Sequence, residues 1–339
     1  HTAYRRQRQM CIRDRCNTER MPQRTRLDTA YEAARMYYDG HRTMEDIATQ
    51  LNVSRSTVSR LLRDARDAGL VRISLRPPDA SRVADLRGAV QKRYGVRTRV
   101  VPTRPDDSQQ TRLHRVAAEA AEAVDALVQP EMTVGIAWGT TLSALADELR
   151  ARPVRGLKVV QLNGAVNTQS SGMDHVTSVI GLLGTKWQAQ AVHFPVPAFF
   201  DHASTREALW RERSVQRVLD QQAACSLAVF SVGAFDAEVP SHVHASGYLS
   251  PADLDALHAD GAVADVCTVF LRADGSWRDL PINQRSSGVD PDRLARIPRR
   301  VLVASGARKA GPVHAALLAR VATDVVIDEA TATALLALD

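Results

Sequence analysis

Lysine is scarce in this chain of 339 residues: of its 44 basic side chains, only Lys92, Lys158, Lys186 and Lys309 are not arginine. The bias suits a GC-rich genome and makes each remaining lysine a candidate for a particular role. Cysteine is scarce too. Cys11 and Cys16 form a CxxxxC with no histidine at finger spacing, and Cys225 and Cys267 sit in apolar, strand-like surroundings. Neither pair makes a zinc site, and the second pair reads as small buried hydrophobes. His242 and His244 share strand spacing but have no third ligand, so neither metal nor cofactor is expected. Long apolar runs are missing as well: none approaches the roughly 18 residues a membrane helix needs, and no apolar segment follows the basic start as in a secretory signal. These absences exclude a membrane partner, and a cytoplasmic location is expected. A poised acid–base pair is also wanting, since Asp328-Glu329 reads as a helix entry.

A hydrophobic content of 45% supports a substantial core, and the length fits about two domains. The net charge is +6, but residues 1–20 hold six arginines against Asp14 and Glu19, a local +4 that leaves +2 for the rest. Residues 21–80 carry ten arginines against eight acids and are only mildly basic. Placement of charge therefore matters more than its sum. Residues 1–20 lack apolar periodicity and are expected to be a non-native or disordered leader whose removal leaves DNA affinity nearly unchanged.

Between Thr43 and Val71 the chain reads TMEDIATQLNVSRSTVSRLLRDARDAGLV. Ile47, Ala48 and Leu51 recur at helical spacing; Val53, Val58, Leu61 and Leu62 resume the apolar face after a tight break at Leu51-Asn52-Val53. Ser54 is placed as an N-cap, and Arg55, Ser56, Thr57, Ser59 and Arg60 crowd the first two turns of the second helix. A helix fits the major groove, its N-terminus favours phosphate, and arginine and hydroxyl side chains reach base edges. The plain alternative is an αα-hairpin with a solvated polar face. Three features favour DNA binding instead. Tyr31, Ala34, Met36 and Tyr37 supply a preceding amphipathic helix, Gly69 ends the recognition helix, and Val71–Arg76 alternates like a wing strand. The expected DNA-binding domain is 21–78, followed after Pro77-Pro78 by a linker helix within 79–95.

From residue 96 to 339 short strands and helices alternate. Strands are expected at 98–101, 133–137, 157–162, 189–194, 227–232, 301–304 and 324–327. Helices are expected at 110–127, 141–149, 174–187, 209–222, 252–260, 309–320 and 329–338. Such alternation implies an α/β domain with a parallel, doubly covered sheet and a ligand beyond the strands' carboxyl ends. Four such ends share one character: Trp138-Gly139-Thr140-Thr141, Asn163-Gly164-Ala165, Ser231-Val232-Gly233, and Ser305-Gly306-Ala307-Arg308-Lys309. Each alone is an ordinary strand-to-helix turn. Together they favour one pocket for a phosphorylated or polyhydroxylated ligand.

These residues resemble the SorC-type sugar-binding transcriptional regulators, related to DeoR-type regulators. The resemblance runs from about Thr25 onward through DIATQLNVSRSTVSRLLRDARDAGLVRI, VGIAWGTTLSALADEL, VVQLNGAVN, PVPAFF, VFSVGAF, SGYLS, GAVADVCTVFLRADG, IPRRVLVASGARKAGPVHAALLARV and VVIDEATATALL. It implies an N-terminal winged helix-turn-helix and a C-terminal Rossmann-like effector domain of the sugar-phosphate isomerase type. It implies further an oligomer, a homotetramer or homodimer, whose grip on operator DNA at a carbohydrate-use operon responds to a sugar or sugar phosphate. Carried over by motif, the phosphate loop falls on Gly139, Thr140 and Thr141. Asp265 stands where relatives place an acid for sugar hydroxyls, Lys309 matches a ligand-contacting lysine, Asn163 and Gly164 match another pocket loop, and Asn283 and Arg285 match a segment near it. Two departures bear on the ligand: Ala264 replaces a common glycine, and Ala304–Lys309 replaces an AGGxxK pattern. The shared fold also keeps open an enzyme reading, a sugar-phosphate isomerase or deaminase with a fused DNA-binding module. In another reading the helix-turn-helix is a dimerisation hairpin only.

Overall fold

The computed structural model describes residues 23–71, 80–104, 106–166, 173–235, 241, 243 and 247–338. The leader, the wing beyond Val71, Pro77-Pro78, His242 and His244 lie outside the described residues. The chain divides into two compact units, His1–Arg76 and Pro77–Asp339.

In the first unit, three helices form where caps and periodicity place them: α1 (Gln23–Tyr38), α2 (Met44–Gln50) and α3 (Arg55–Asp67). Thr43 and Asp46 close a reciprocal capping box at the start of α2. Asn52 takes φ 51° in the turn, a conformation its short polar side chain tolerates. Ser54 caps α3 by accepting from the Thr57 amide at 3.2 Å, and Gly69 at φ 73° follows its C-terminus. The core comprises Ala30, Ala33, Ala34, Ile47, Val58, Leu61, Leu62 and Ala65. Tyr31, expected on the inner face of α1, is 53% exposed. The inward stripe is set by Ala30, Ala33 and Ala34 with Tyr37 packed beside them, and Tyr31 is rotated off it by one residue. The small alanines allow close helix approach.

The second unit opens with α4 (Ala80–Tyr94), β1 (Arg97–Val101), α5 (Gln109–Asp125), β2 (Thr133–Ile136), α6 (Thr140–Glu148) and β3 (Lys158–Gln161). Next come α7 (Met173–Trp187), β4 (Gln190–Val192), α8 (Ala203–Leu209), α9 (Arg213–Ala223), β5 (Leu227–Phe230) and β6 (Val232–Gly233). The chain continues through α10 (Pro251–Ala259), β7 (Ala262–Val266), β8 (Val269–Arg272), α11 (Pro291–Ala295) and β9 (Arg299–Ala304). It ends with α12 (Ala310–Leu318), β10 (Asp324–Asp328) and α13 (Glu329–Leu336). Seven strands pair in parallel in the order β1-β10-β9-β5-β2-β3-β4. Successive residues alternate between two cores: Val229, Val301 and Val326 face one, while Ala228, Phe230, Leu302 and Ile327 face the other. Both faces are thus covered, as a parallel sheet requires.

An antiparallel sheet of β6, β7 and β8 adds to the expected alternation of strands and helices. Its β7–β8 hairpin turns at Cys267 (φ 50°) and Thr268 (φ 66°), where glycine or asparagine would be the recognisable signal. The helix expected over 209–222 forms as α9 from Arg213 onward, and a separate helix not expected, α8, precedes it and ends at Leu209.

Candidate functional site

The strand order reverses between β2 and β5, since β3 and β4 extend the sheet one way from β2 and β9, β10 and β1 the other way from β5. A cleft lies at that switch point, walled by the residues following β2, β3, β5 and β9. In doubly wound sheets this is where diverging helices leave space for a ligand.

On one wall, Gly139 at φ 136° precedes α6 with no side-chain cap, so the first-turn amides of α6 are left to whatever the cleft holds, beside the Thr140 and Thr141 hydroxyls. Trp138 stiffens this wall: it stacks on Tyr248 at 5.2 Å between ring centroids and donates from Nε1 to the Gly164 carbonyl at 3.1 Å. After β3, Asn163 is 2% exposed, and among the described residues its Oδ1 has no hydrogen-bond partner; Ser231 Oγ, after β5, is likewise a buried atom without one. Two buried, unsatisfied oxygens on one cleft suit a ligand bearing hydroxyl groups.

The opposite wall carries the charge. Lys309 donates to the Val232 carbonyl, and burial pushes its ammonium below the ordinary pKa, with Asp265 pulling the other way. Asp265 lies opposite Gly233 in the β6–β7 ladder, where a Cβ would fall 1.7 Å from Asp265 Oδ1; glycine makes room for the carboxylate. The Thr268 amide donates to Asp265 Oδ2 at 3.3 Å, so the left-handed hairpin turn helps to hold this acid. Ser305 and Gly306 are fixed from behind by Asp328, and Gln109 Nε2 donates to the Ser305 carbonyl at 3.2 Å.

The structure brings Gly139, Thr140, Thr141, Asn163, Asp265 and Lys309 to this one cleft. Gly164 and Arg285 do not line it. Gly164 serves packing: its amide donates to Ser287 Oγ at 3.0 Å, and a Cβ would meet the Val196 carbonyl oxygen at 2.4 Å. The Arg285 guanidinium pairs with Asp253 and donates to the Phe200 carbonyl, while Asn283 binds the backbone of Phe270 and Trp277. Ser231, Gln109, Thr268 and Asp328 belong to the site or its support although their residue types did not mark them as contacts. Only the Ser231 loop had a readable signal, its glycine-containing strand end.

On the first unit, Arg55, Ser56, Ser59 and Arg60 are exposed on α3, and Arg63 extends the same face. Ser54 Oγ lies 2.8 Å from both the Ser56 and the Thr57 hydroxyls, so all three share a bonded cluster at the cap, with Ser56 still exposed. Arg55 lies 3.8 Å from Glu45, an exposed pair too weak to withhold it from a phosphate. Among the described residues, no histidine, cysteine and carboxylate cluster has metal-binding geometry, and no helix is long and apolar enough to cross a membrane.

A helix-turn-helix with an exposed arginine- and hydroxyl-bearing face in one unit and a polar cleft at the switch point of the other fit a ligand-responsive DNA-binding protein. The family comparison agrees: residues 79–337 match the family described as "Putative sugar-binding domain", and residues 34–68 match sigma-70, region 4. The chain belongs to the SorC/DeoR-type family of sugar-binding transcriptional regulators. The deoxyribonucleoside regulator of Bacillus subtilis (strain 168) is 32% identical over 312 residues, covering 92% of this chain and 98% of its own length. A solved domain of a possible sugar-binding transcriptional regulator from Arthrobacter aurescens TC1 is 42% identical, with a TM-score of 0.71 over 75% of this chain and 97% of that one. The full-length sorbitol operon regulator SorC from Klebsiella pneumoniae shares the fold, with 20% identity and a TM-score of 0.75 over 91% of this chain and 98% of its own.

Proposed function

We propose that this chain regulates transcription of a carbohydrate-use operon, binding operator DNA through α3 and a sugar or sugar phosphate in the switch-point cleft. The observation that carries the ligand class is the pairing of an uncapped helix N-terminus at Gly139–Thr141 with the buried oxygens of Asn163 and Ser231. The first suits an anionic phosphate, the second a polyol. Lys309 and Asp265 add a cation and an acceptor on the facing wall. Gly139, Thr140, Thr141, Asn163, Asp265 and Lys309 are the proposed effector contacts; Arg55, Ser56, Ser59 and Arg60 are the proposed DNA contacts, with Ser54 and Thr57 shaping the helix start. The proposed working form is a cytoplasmic homodimer or homotetramer, since helix-turn-helix units read paired half-sites.

Thermal-shift titration of the full chain against free sugars and their phosphates tests this reading, because binding to the folded state raises stability with ligand concentration. A sugar phosphate should raise the melting temperature and alter affinity for DNA upstream of the operon. Lys309→Ala should weaken that ligand about tenfold or more, the scale of a lost charged hydrogen bond, while sparing DNA binding. Turnover of the sugar phosphate, or an unchanged response in a Thr141→Val/Lys309→Ala double variant, would overturn the proposal.

A further inference from the structure

We infer that Asp328, Glu329 and Arg82 are positioning residues that fasten the cleft to α4, the helix following the DNA-binding unit in the chain. The inference rests on reading the cleft as the effector site and adds how its occupancy leaves it. Asp328 is fully buried and uses both carboxylate oxygens twice. Oδ1 accepts from the amide and hydroxyl of Thr331, both at 2.6 Å, which caps α13. Oδ2 accepts from Ser305 Oγ and the Gly306 amide, both at 2.8 Å, which holds the cleft loop. A helix cap needs only the first pair. The second pair ties the wall that precedes Arg308 and Lys309 to the start of α13.

The next residue carries the tie outward. Glu329 is 7% exposed, and its Oε1 lies 2.9 Å from Arg82 Nε on α4. At the far end Arg93 Nη1 donates to the Leu336 carbonyl at 3.3 Å, so α4 grips α13 near both termini. Val83, Leu86 and Tyr94 of α4 pack on the cluster that contains Ala332 and Leu335 of α13. A buried carboxylate with four short bonds leaves little slack: a displaced Gly306 amide either breaks a charge-assisted bond or moves Asp328 with it. Gly306 sits at φ 104°, a backbone conformation that glycine adopts without strain, so the tied amide is held there by Asp328 alone and not by side-chain sterics. Ligand contact at Gly306–Lys309 therefore loads Asp328, Glu329 and then Arg82.

Amide hydrogen exchange on the full chain, with and without inorganic phosphate, tests the tie in wild type, Arg82→Ala and Arg82→Lys. Phosphate should slow exchange at 304–310 in all three proteins. It should slow exchange across α4, on the order of fivefold, in wild type and Arg82→Lys but not in Arg82→Ala. Without phosphate, Arg82→Ala should already exchange faster at 304–310, a segment Arg82 does not touch, and Arg82→Lys should restore the wild-type rate. Unchanged exchange at 304–310 in Arg82→Ala would overturn the inference. Failure of phosphate to protect 304–310 in wild type would count against the effector-site reading alone, since the phosphate-free comparison decides the tie by itself.

Discussion

Asp324 is the acceptor at which three strands begin. It takes two hydrogen bonds from Arg97 at 2.9 and 3.2 Å, two from Arg299 at 3.2 and 2.7 Å, and one from Thr323 at 2.7 Å. Burial works against its charge, but the bonds from Arg97, Thr323 and Arg299 outweigh it and hold its pKa below the ordinary carboxylate value. A carboxyl that is more acidic folded than unfolded stabilises the fold fully above the unfolded pKa, near 4, and loses that contribution as pH falls through the folded value. Asp324→Asn should therefore cost about 1–3 kcal/mol at pH 7. The melting curves of the two proteins should converge as pH falls below about 4. A gap that stays constant down to pH 2 would show that the hydrogen-bond geometry, not the charge, is what Asp324 supplies. Arg285 shows why single residues are the hardest level to read. Its motif placed it near the ligand, yet Asp253 and the Phe200 carbonyl claim its guanidinium, and only tertiary structure reveals that competition.

At the level of elements, α3 separates capping from contact. Ser54→Ala removes the acceptor for the Thr57 amide and should lower stability by about 1 kcal/mol, with Ser54→Asp restoring it. Arg60→Ala should leave the melting temperature unchanged, weaken DNA binding, and lower the salt dependence of binding by about one phosphate contact. Equal effects of Ser54→Ala and Arg60→Ala on both readouts would merge the two roles. The elements themselves were largely legible, because helix caps, the two-residue alternation of strands and glycine at strand ends are local signals. All seven parallel strands were expected within a few residues of where they lie. The β7–β8 hairpin was not: GAVADVCTVFLR has no turn residue to punctuate it, and Cys267 and Thr268 adopt left-handed backbone only because the surrounding structure imposes it. That omission hid how Asp265 is delivered to the cleft. Lys309 and Thr141, by contrast, sit at strand-to-helix junctions whose chemistry is written in sequence.

For the whole molecule, a mildly basic DNA-binding unit predicts dependence on pairing. Sedimentation of the full chain should show an even-numbered oligomer, and its DNA site should be two-fold symmetric, with half-sites about 10 base pairs or a multiple apart. A monomer that binds a single half-site with undiminished affinity would refute this. β1 pairs with β10, aligning Arg97 with Asp324 across 227 residues, and the cleft wall at Ser305–Lys309 lies in the stretch just before β10. During synthesis the helix-turn-helix precedes the cleft domain, and β1 waits without its parallel partner until β10 is made. A product broken off before Ser305 would expose the edge of β1 to other chains and lack the lysine wall. The order of translation thus completes the proposed reader before the proposed receiver, so a product cut short between them keeps the helix-turn-helix without the cleft that would govern it.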